Sequence, residues 1–529
     1  MMTSRSDTGR EALLIGIDAG TSVIKAVAFD AAGRQLDSAS VVNRYHTAPD
    51  GSATQGLDQT WQDCARALRD LGEKIPGLAQ RVAAIAVTGQ GDGTWLAGRD
   101  NRPVGDAWLW LDARAAPTVD RLAGIGANRA RFEATGTGLN TCQQGSQMAH
   151  MQSHRPELLS AAEVALHCKD WLYLNLTGVR ATDPSEASFT FGNFRNRQYD
   201  DAVIEALGLS SQRHLLPPIL EGTEVTHKLT PEAAAQTGLL AGTPVSLGYV
   251  DMVMTALGAG VYGGGGQDVA CSTVGSTGVH MRAVRWQDVH LNAEGTGYVI
   301  CLPVPGVVTQ VQTNMAATLN IDWALNLAGD ALKAFGQEVS HKELVARLDG
   351  WLQQSQPGQV VYHPYISEAG ERGPFVNARA RAGFTGFSQY HGYPDLLRAV
   401  TEGLGQAMRD CYSAMGQLPG ELRLTGGAAR SPALRGIFGA SVNAPVRVSA
   451  RDEAGAAGAA MMAAVAIGLY PDMDACVNEW VLPLLGEAET PDPDLVAAYD
   501  RIFPAYRLAR EALLPTWEVL ASARRTNGE

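Results

Sequence analysis

Two stretches about 250 residues apart share one design, a strand, a glycine-and-hydroxyl turn and a second strand. The first reads Leu13-Leu14-Ile15-Gly16-Ile17-Asp18-Ala19-Gly20-Thr21-Ser22 and continues through Val23-Ile24-Lys25-Ala26-Val27-Ala28-Phe29-Asp30. The second reads Asp268-Val269-Ala270-Cys271-Ser272-Thr273-Val274-Gly275-Ser276-Thr277-Gly278-Val279-His280-Met281. Each opens a half of similar size, so the repeat predicts two related α/β domains that face one ligand. A turn of this kind aims several backbone N–H groups at one point, which suits a phosphate. Glycine at position 20 permits close backbone approach, and Thr21 and Ser22 add hydroxyls. Asp18 stands at the mouth, where a carboxylate can hold Mg²⁺ directly or through water, and Lys25 adds a positive charge. On the turn alone an ordinary surface hairpin is the competing reading, and the rest of the chain decides.

At 529 residues the chain is too long for one core. Its 42 basic and 55 acidic residues give a net charge of −13, which argues against a nucleic-acid or anionic-membrane surface. An enzyme handling polyanions with that overall field needs local cations and a metal. The 7 cysteines are scattered, odd in number and without a C-x-x-C, the pattern of reduced thiols in a cytoplasm. Residues 1–12 carry no apolar signal core and read as a disordered tail. The longest uncharged run, residues 454–470, is mostly Ala and Gly and short for a membrane span. It reads instead as a buried, closely packed helix.

In chain order, residues 35–42 read as a strand and 57–71 as a helix with Asp58 at its N-cap. A buried strand at 82–87 runs into Thr88-Gly89-Gln90-Gly91-Asp92-Gly93-Thr94. Polar groups at the carboxyl end of a strand lie where α/β sheets bind ligands. Trp108 and Trp110 follow. A tryptophan beside amide and carboxylate groups suits a sugar or polyol, with an apolar wall for C–H faces and acceptors for hydroxyls. Residues 157–177 read as helices, with His167-Cys168-Lys169-Asp170 structural, and 182–199 as a loop region. His150 and His154 share a helix spacing but lack the H-E-x-x-H pattern of a zinc site. The strand at 244–250 ends in Asp251, at a helix start, a position suited both to a general base and to an N-cap. Gly258-Ala259-Gly260-Val261-Tyr262-Gly263 follows a helix rather than a strand, and reads as a hinge and not a dinucleotide site. A strand at 422–424 enters Thr425-Gly426-Gly427-Ala428, whose glycines leave room for a flat ring.

These four stations, in this order, resemble the FGGY family of carbohydrate kinases, related to actin, hexokinase and the Hsp70 ATPase domain. The resemblance spans about residues 13–480 and includes Gly370-Glu371-Arg372 and the helix at 396–410. It implies an α/β chain of two actin-like (ribonuclease H-like) domains, 13–257 and 258–529, with an interdomain nucleotide cleft. It implies ATP and Mg²⁺, with Asp18 toward the metal and Asp251 as the catalytic base. Gly20, Thr21, Ser22, Lys25, Gly275, Ser276 and Thr277 would then cradle the phosphates, and Gly426, Gly427 and Ala428 the adenosine. Gln90, Asp92, Trp110 and Asp251 would bind the acceptor. Three departures matter: Asp92 replaces the family's frequent His or Glu, Met252 replaces Gln or Asn, and Ala428 replaces a third glycine. A carboxylate at 92 cannot donate to a ketone oxygen, and Met252 withdraws a donor. Both tilt the expectation toward a fully reduced acceptor, erythritol, phosphorylated at a terminal hydroxyl. A ketopentose kinase (xylulose or ribulose) is the alternative, and a non-catalytic nucleotide switch a third reading. The resemblance also implies a cytoplasmic protein and a homodimer.

Overall fold

The structure is a computed structural model that describes residues 12–263 and 268–526. Nearly all of the tail expected at 1–12 lies outside them. The first sheet contains β1 (Leu13–Ala19), β2 (Val23–Asp30), β3 (Gln35–Val42), β4 (Val82–Gly89), β5 (Thr226–Lys228) and β6 (Pro244–Val250), in the order β5-β6-β4-β1-β2-β3. The second contains β7 (Val269–Val274), β8 (Gly278–Arg285), β9 (Tyr298–Cys301), β10 (Val307–Asn314), β11 (Glu421–Thr425) and β12 (Val446–Val448), in the order β9-β10-β8-β7-β11-β12. In each sheet the opening hairpin is antiparallel, and its first strand pairs in parallel with a later strand, β1 with β4 and β7 with β11. A further parallel strand joins outside that one, β6 in the first sheet and β12 in the second. The repeat seen in the two hairpins therefore extends to the order of five strands in each half.

The side-chain period of two along β1 splits the packing. Leu13, Ile15 and Ile17 join a core with Leu68, Leu71 and Trp171 on one face. Leu14, with Val27, Phe29, Ala84 and Ala86, faces α4 (Asp251–Ala259) and α7 (Ala454–Ala466) on the other. That second core continues into Cys271, Met281 and Val311 of the second sheet, so it joins the two halves. The small residues of α7 are what allow the approach. A Cβ on Gly16 would fall on the carbonyl of Ala456, and one on Gly458 on the carbonyl of Met254. The uncharged run is thus a buried helix, as its composition predicts.

Several local expectations change. The first long helix, Leu57–Lys74, is N-capped by Gly56 with no side-chain cap, and Asp58 lies in its first turn. The span 157–177 holds a short strand, Val164–Leu166, between helices. The expected loop at 182–199 contains α3 (Pro184–Phe191), preceded by α2 (Cys168–Thr177). Every residue of α3 is buried, and Asp183 caps it by accepting from the Ser185 N–H at 2.8 Å. Its polar residues read as a loop; Asp183 instead bonds Ser185 and Lys169 within the core. Gly260 closes α4 in the left-handed region, φ 101°, a helix stop rather than a strand-to-helix turn.

Candidate active site

Asp18 at the end of β1 and Asp251 at the first position of α4 are brought together although 233 positions separate them. Asp251 Oδ1 accepts from the Met252 N–H at 2.6 Å. Burial, and then the charge of Asp18, push its carboxyl up to about 7. Burial likewise pushes Asp18 up to about 6; Lys25 opposes the rise and Glu453 adds to it. Two buried carboxyls, the second raised further by the charge of the first, form a site for a proton or a cation. The backbone of Gly455 backs Asp18: a Cβ there would collide with Oδ2.

Gln90 and Trp110 are tied to the first turn. Gln90 is buried and donates its backbone N–H to the Ala19 carbonyl at 2.9 Å. Its Nε2 donates to Gln55 Oε1 at 2.7 Å, and its Oε1 accepts from the Thr21 hydroxyl at 3.0 Å. The Trp110 indole N–H donates to the same hydroxyl at 2.8 Å, while its ring remains 40% exposed. Thr21 therefore couples the first turn to both side chains. Asp92 occupies the left-handed region, φ 55°, and its Oδ1 is buried without a hydrogen-bond partner. Burial raises its pKa, against a hydrogen bond from the Cys142 thiol and the charges of His167 and Arg372. Arg372 belongs to the second half of the chain, so its field crosses between the halves.

The two glycine turns are held alike. Asn43 donates to the carbonyls of Gly20 (2.9 Å) and Ser22 (2.8 Å). Thr318 and Ala317 donate to those of Gly275 (2.9 Å) and Ser276 (2.7 Å). With their carbonyls tied back, Ser22, Ser276 and Thr277 are left exposed. Lys25 is not free in this state: its Nζ meets Glu453 Oε2 at 2.8 Å. Gly426, φ 85°, sits against the Val274 carbonyl at the end of β7, and Gly427 has open space where a side chain would be. Ala428 is buried in the core of the second half.

His150 and His154 stack at 4.1 Å, and His150 Nδ1 bonds the Thr118 hydroxyl at 3.0 Å. Among the described residues no group of three or more His, Cys, Asp or Glu is arranged for a metal ion. All seven cysteines are buried and unbridged. No helix among the described residues is long and apolar enough to cross a membrane.

Behind Gly91 lies a charged cluster in which the residues read as structural, His167 to Asp170, meet Asp183 and Glu186, whose part in it sequence reasoning missed. Lys169 pairs with Asp170 at 2.6 Å and with Asp183. Asp170 Oδ2 accepts from the backbone N–H of His167 at 3.0 Å and contacts its Nδ1 at 3.1 Å. His167 Nε2 stands 3.4 Å from Glu186 Oε2. The Ser185 hydroxyl bonds Asp183 and accepts from the Val250 N–H at 3.1 Å, one residue before Asp251. Charged residues set into the apolar string Cys168-Lys169-Asp170-Trp171-Leu172 were the available signal.

Two actin-like α/β halves with paired turns, and two carboxyls brought together at strand ends of the first sheet, have the architecture of a phosphotransferase. The chain matches the N-terminal domain of the FGGY family of carbohydrate kinases over residues 13–258, and the C-terminal domain over 271–467. It belongs to that family and is a carbohydrate kinase, an ATP user as the family is. It is 70% identical over 512 residues to the erythritol kinase of Brucella abortus, covering 97% of this chain and 98% of that protein. To the xylulose kinase of Escherichia coli it is 29% identical, covering 95% and 99%. The crystal structure of ligand-bound xylulose kinase from Lactobacillus acidophilus superposes with a TM-score of 0.86 at 22% identity, covering 96% and 100%.

Proposed function

We propose that this kinase transfers the γ-phosphoryl group of ATP to a terminal hydroxyl of erythritol, giving erythritol 4-phosphate. The similarity to the Brucella abortus enzyme over nearly the whole of both chains carries this reading. The pocket chemistry agrees with it: an exposed Trp110 ring for C–H faces, and carboxyls at 92 and 251 that accept from hydroxyls. The same reading divides the chain at 257–258 and places the site between the halves.

In this reading Asp251 takes the proton from the attacking hydroxyl. A carboxyl held near 7 is matched to that task at neutral pH. Gly20, Thr21, Ser22, Lys25, Gly275, Ser276 and Thr277 hold the phosphates, and Gly426 and Gly427 border the adenosine with Ala428 behind them. Mg²⁺ fits Asp18, because a buried carboxyl raised to about 6 by burial and the charge of Glu453 is relieved by a divalent cation. Bound there, it would neutralise phosphate charge. The scattered, buried thiols favour a reducing compartment, the cytoplasm.

The test compares kcat/KM for erythritol, glycerol, xylitol, xylulose and ribulose. Erythritol is expected to lead. A clear lead for any ketose replaces this reading with the ketopentose one.

A further inference from the structure

Glu186 is fully buried, yet both of its carboxyl oxygens lack a hydrogen-bond partner. Its Oε1 lies 3.2 Å from where a Cβ on Gly91 would stand, so the absence of a side chain there lets it approach the loop that carries Asp92. Asp92 Oδ1 is itself buried and unpartnered. Asp92 also acts on the charge of Glu186, so the two carboxyls face each other near that glycine, and leaving both oxygens without a hydrogen in this setting is costly.

We propose that Glu186 is a positioning residue for the acceptor: its carboxyl hydrogen is donated toward Asp92 Oδ1 behind Gly91, leaving Asp92 Oδ2 to accept from the substrate hydroxyl. The inference rests on the reading of Asp92 as an acceptor contact. The charge balance requires Glu186 to carry that hydrogen. Asp170 and Asp183 already share Lys169, and His167 stands between the acids, its Nδ1 at 3.1 Å from Asp170 and its Nε2 at 3.4 Å from Glu186 Oε2. From the pocket side the charges facing it are Asp92 and, beyond, Arg372 with the Cys142 thiol. Burial, with Asp92, Asp183 and Asp170 adding to it and Lys169 opposing, raises the Glu186 pKa well above the usual carboxylate range.

The experiment compares wild type with Glu186→Gln and Glu186→Leu for acceptor KM, kcat, ATP KM and melting temperature from about pH 6 to 9. Glu186→Leu is expected to raise acceptor KM about tenfold, with kcat and ATP KM within about twofold. Glu186→Gln, whose amide N–H replaces the donor, stays within about threefold of wild type. In wild type the acceptor KM rises on the alkaline side as Glu186 ionises and loses its hydrogen; in Glu186→Gln that rise is absent. An unchanged acceptor KM in Glu186→Leu, or the same alkaline rise in Glu186→Gln, overturns the proposal. If Glu186→Leu melts far below wild type, the pH comparison with Glu186→Gln decides alone. Should wild type prefer another acceptor, the erythritol reading falls, and the same comparison on that acceptor still decides the role of Glu186.

Discussion

Lys25 on β2 and Glu453 at the threshold of α7 meet at 2.8 Å across 428 positions of sequence. The contact pins Lys25, just beyond the first glycine turn, to the segment that also delivers Gly455 against Asp18. Lys25 and Glu453 then act on Asp18 in opposite directions, one lowering its pKa and the other raising it. The two opposite charges balance each other at this corner.

Lys25→Met should raise ATP KM by roughly tenfold, the scale of one charge-assisted hydrogen bond. It should also move the acid limb of activity upward, because Asp18 loses the charge that opposes its rise above about 6. Glu453→Gln should move that limb downward. Steady-state kinetics in ATP across pH reads both, and limbs that do not move apart count against the Asp18 assignment.

Asp251→Asn keeps the shape of the side chain and removes its proton acceptor. kcat should fall by ~10²–10⁴ while ATP binding changes little. A variant retaining more than about a tenth of kcat would sink the base role.

The pH dependence of rate and of stability should oppose each other. Activity should climb as pH passes about 7, where Asp251 becomes the base form. Its folded pKa lies above the ordinary value of 3.8, so the native state holds the proton more tightly than the unfolded chain does. That stabilisation is complete below about pH 4 and is lost as pH rises to about 7. Asp251→Asn should therefore melt above wild type at pH 8, by roughly 1–2 kcal/mol, at about 2–4 °C per kcal/mol. Calorimetry at pH 5 and 8 checks the sign.

Two glycine substitutions should separate folding from function. Gly16→Ala places a methyl on the Ala456 carbonyl, which costs about 1–3 kcal/mol or more and lowers the yield of folded protein. Gly427→Ala meets no atom within 4 Å, so its melting should match wild type while ATP KM rises. An unchanged ATP KM in Gly427→Ala removes that glycine from the adenosine site.

Trp110→Phe keeps an apolar ring but loses the indole N–H bonded to Thr21. It should raise acceptor KM several-fold, and Trp110→Ala by about tenfold or more, the scale of a lost aromatic wall. Equal effects of both on ATP KM alone would place Trp110 outside the acceptor pocket.

The hairpins, the strand ends carrying Asp92 and Asp251, and the alanine-rich helix were legible because each is a local pattern with a physical meaning. Periodicity, a glycine turn or an acid at a strand terminus can be read in one window. The FGGY assignment followed from their order. What escaped was pairing at a distance. Gln55 orients Gln90, and Glu453 holds Lys25, with no sign of either in the flanking residues. The stretch from Asp183 to Ser188 reads as polar and therefore outside, yet it is a helix whose acids and hydroxyls are satisfied or held within the core. Composition cannot tell a solvated carboxyl from one facing a buried lysine.

The placement of α7 also governs the order in which the molecule can be made. One face of the first sheet, with Leu14, Phe29 and Ala86, is covered by a helix that begins at Ala454. During synthesis that face waits, greasy and bare, until the ribosome has released most of the chain. The nascent N-terminal half is then a substrate for holding chaperones, and a truncated product ending before Ala454 is a candidate for aggregation and proteolysis rather than a small working domain.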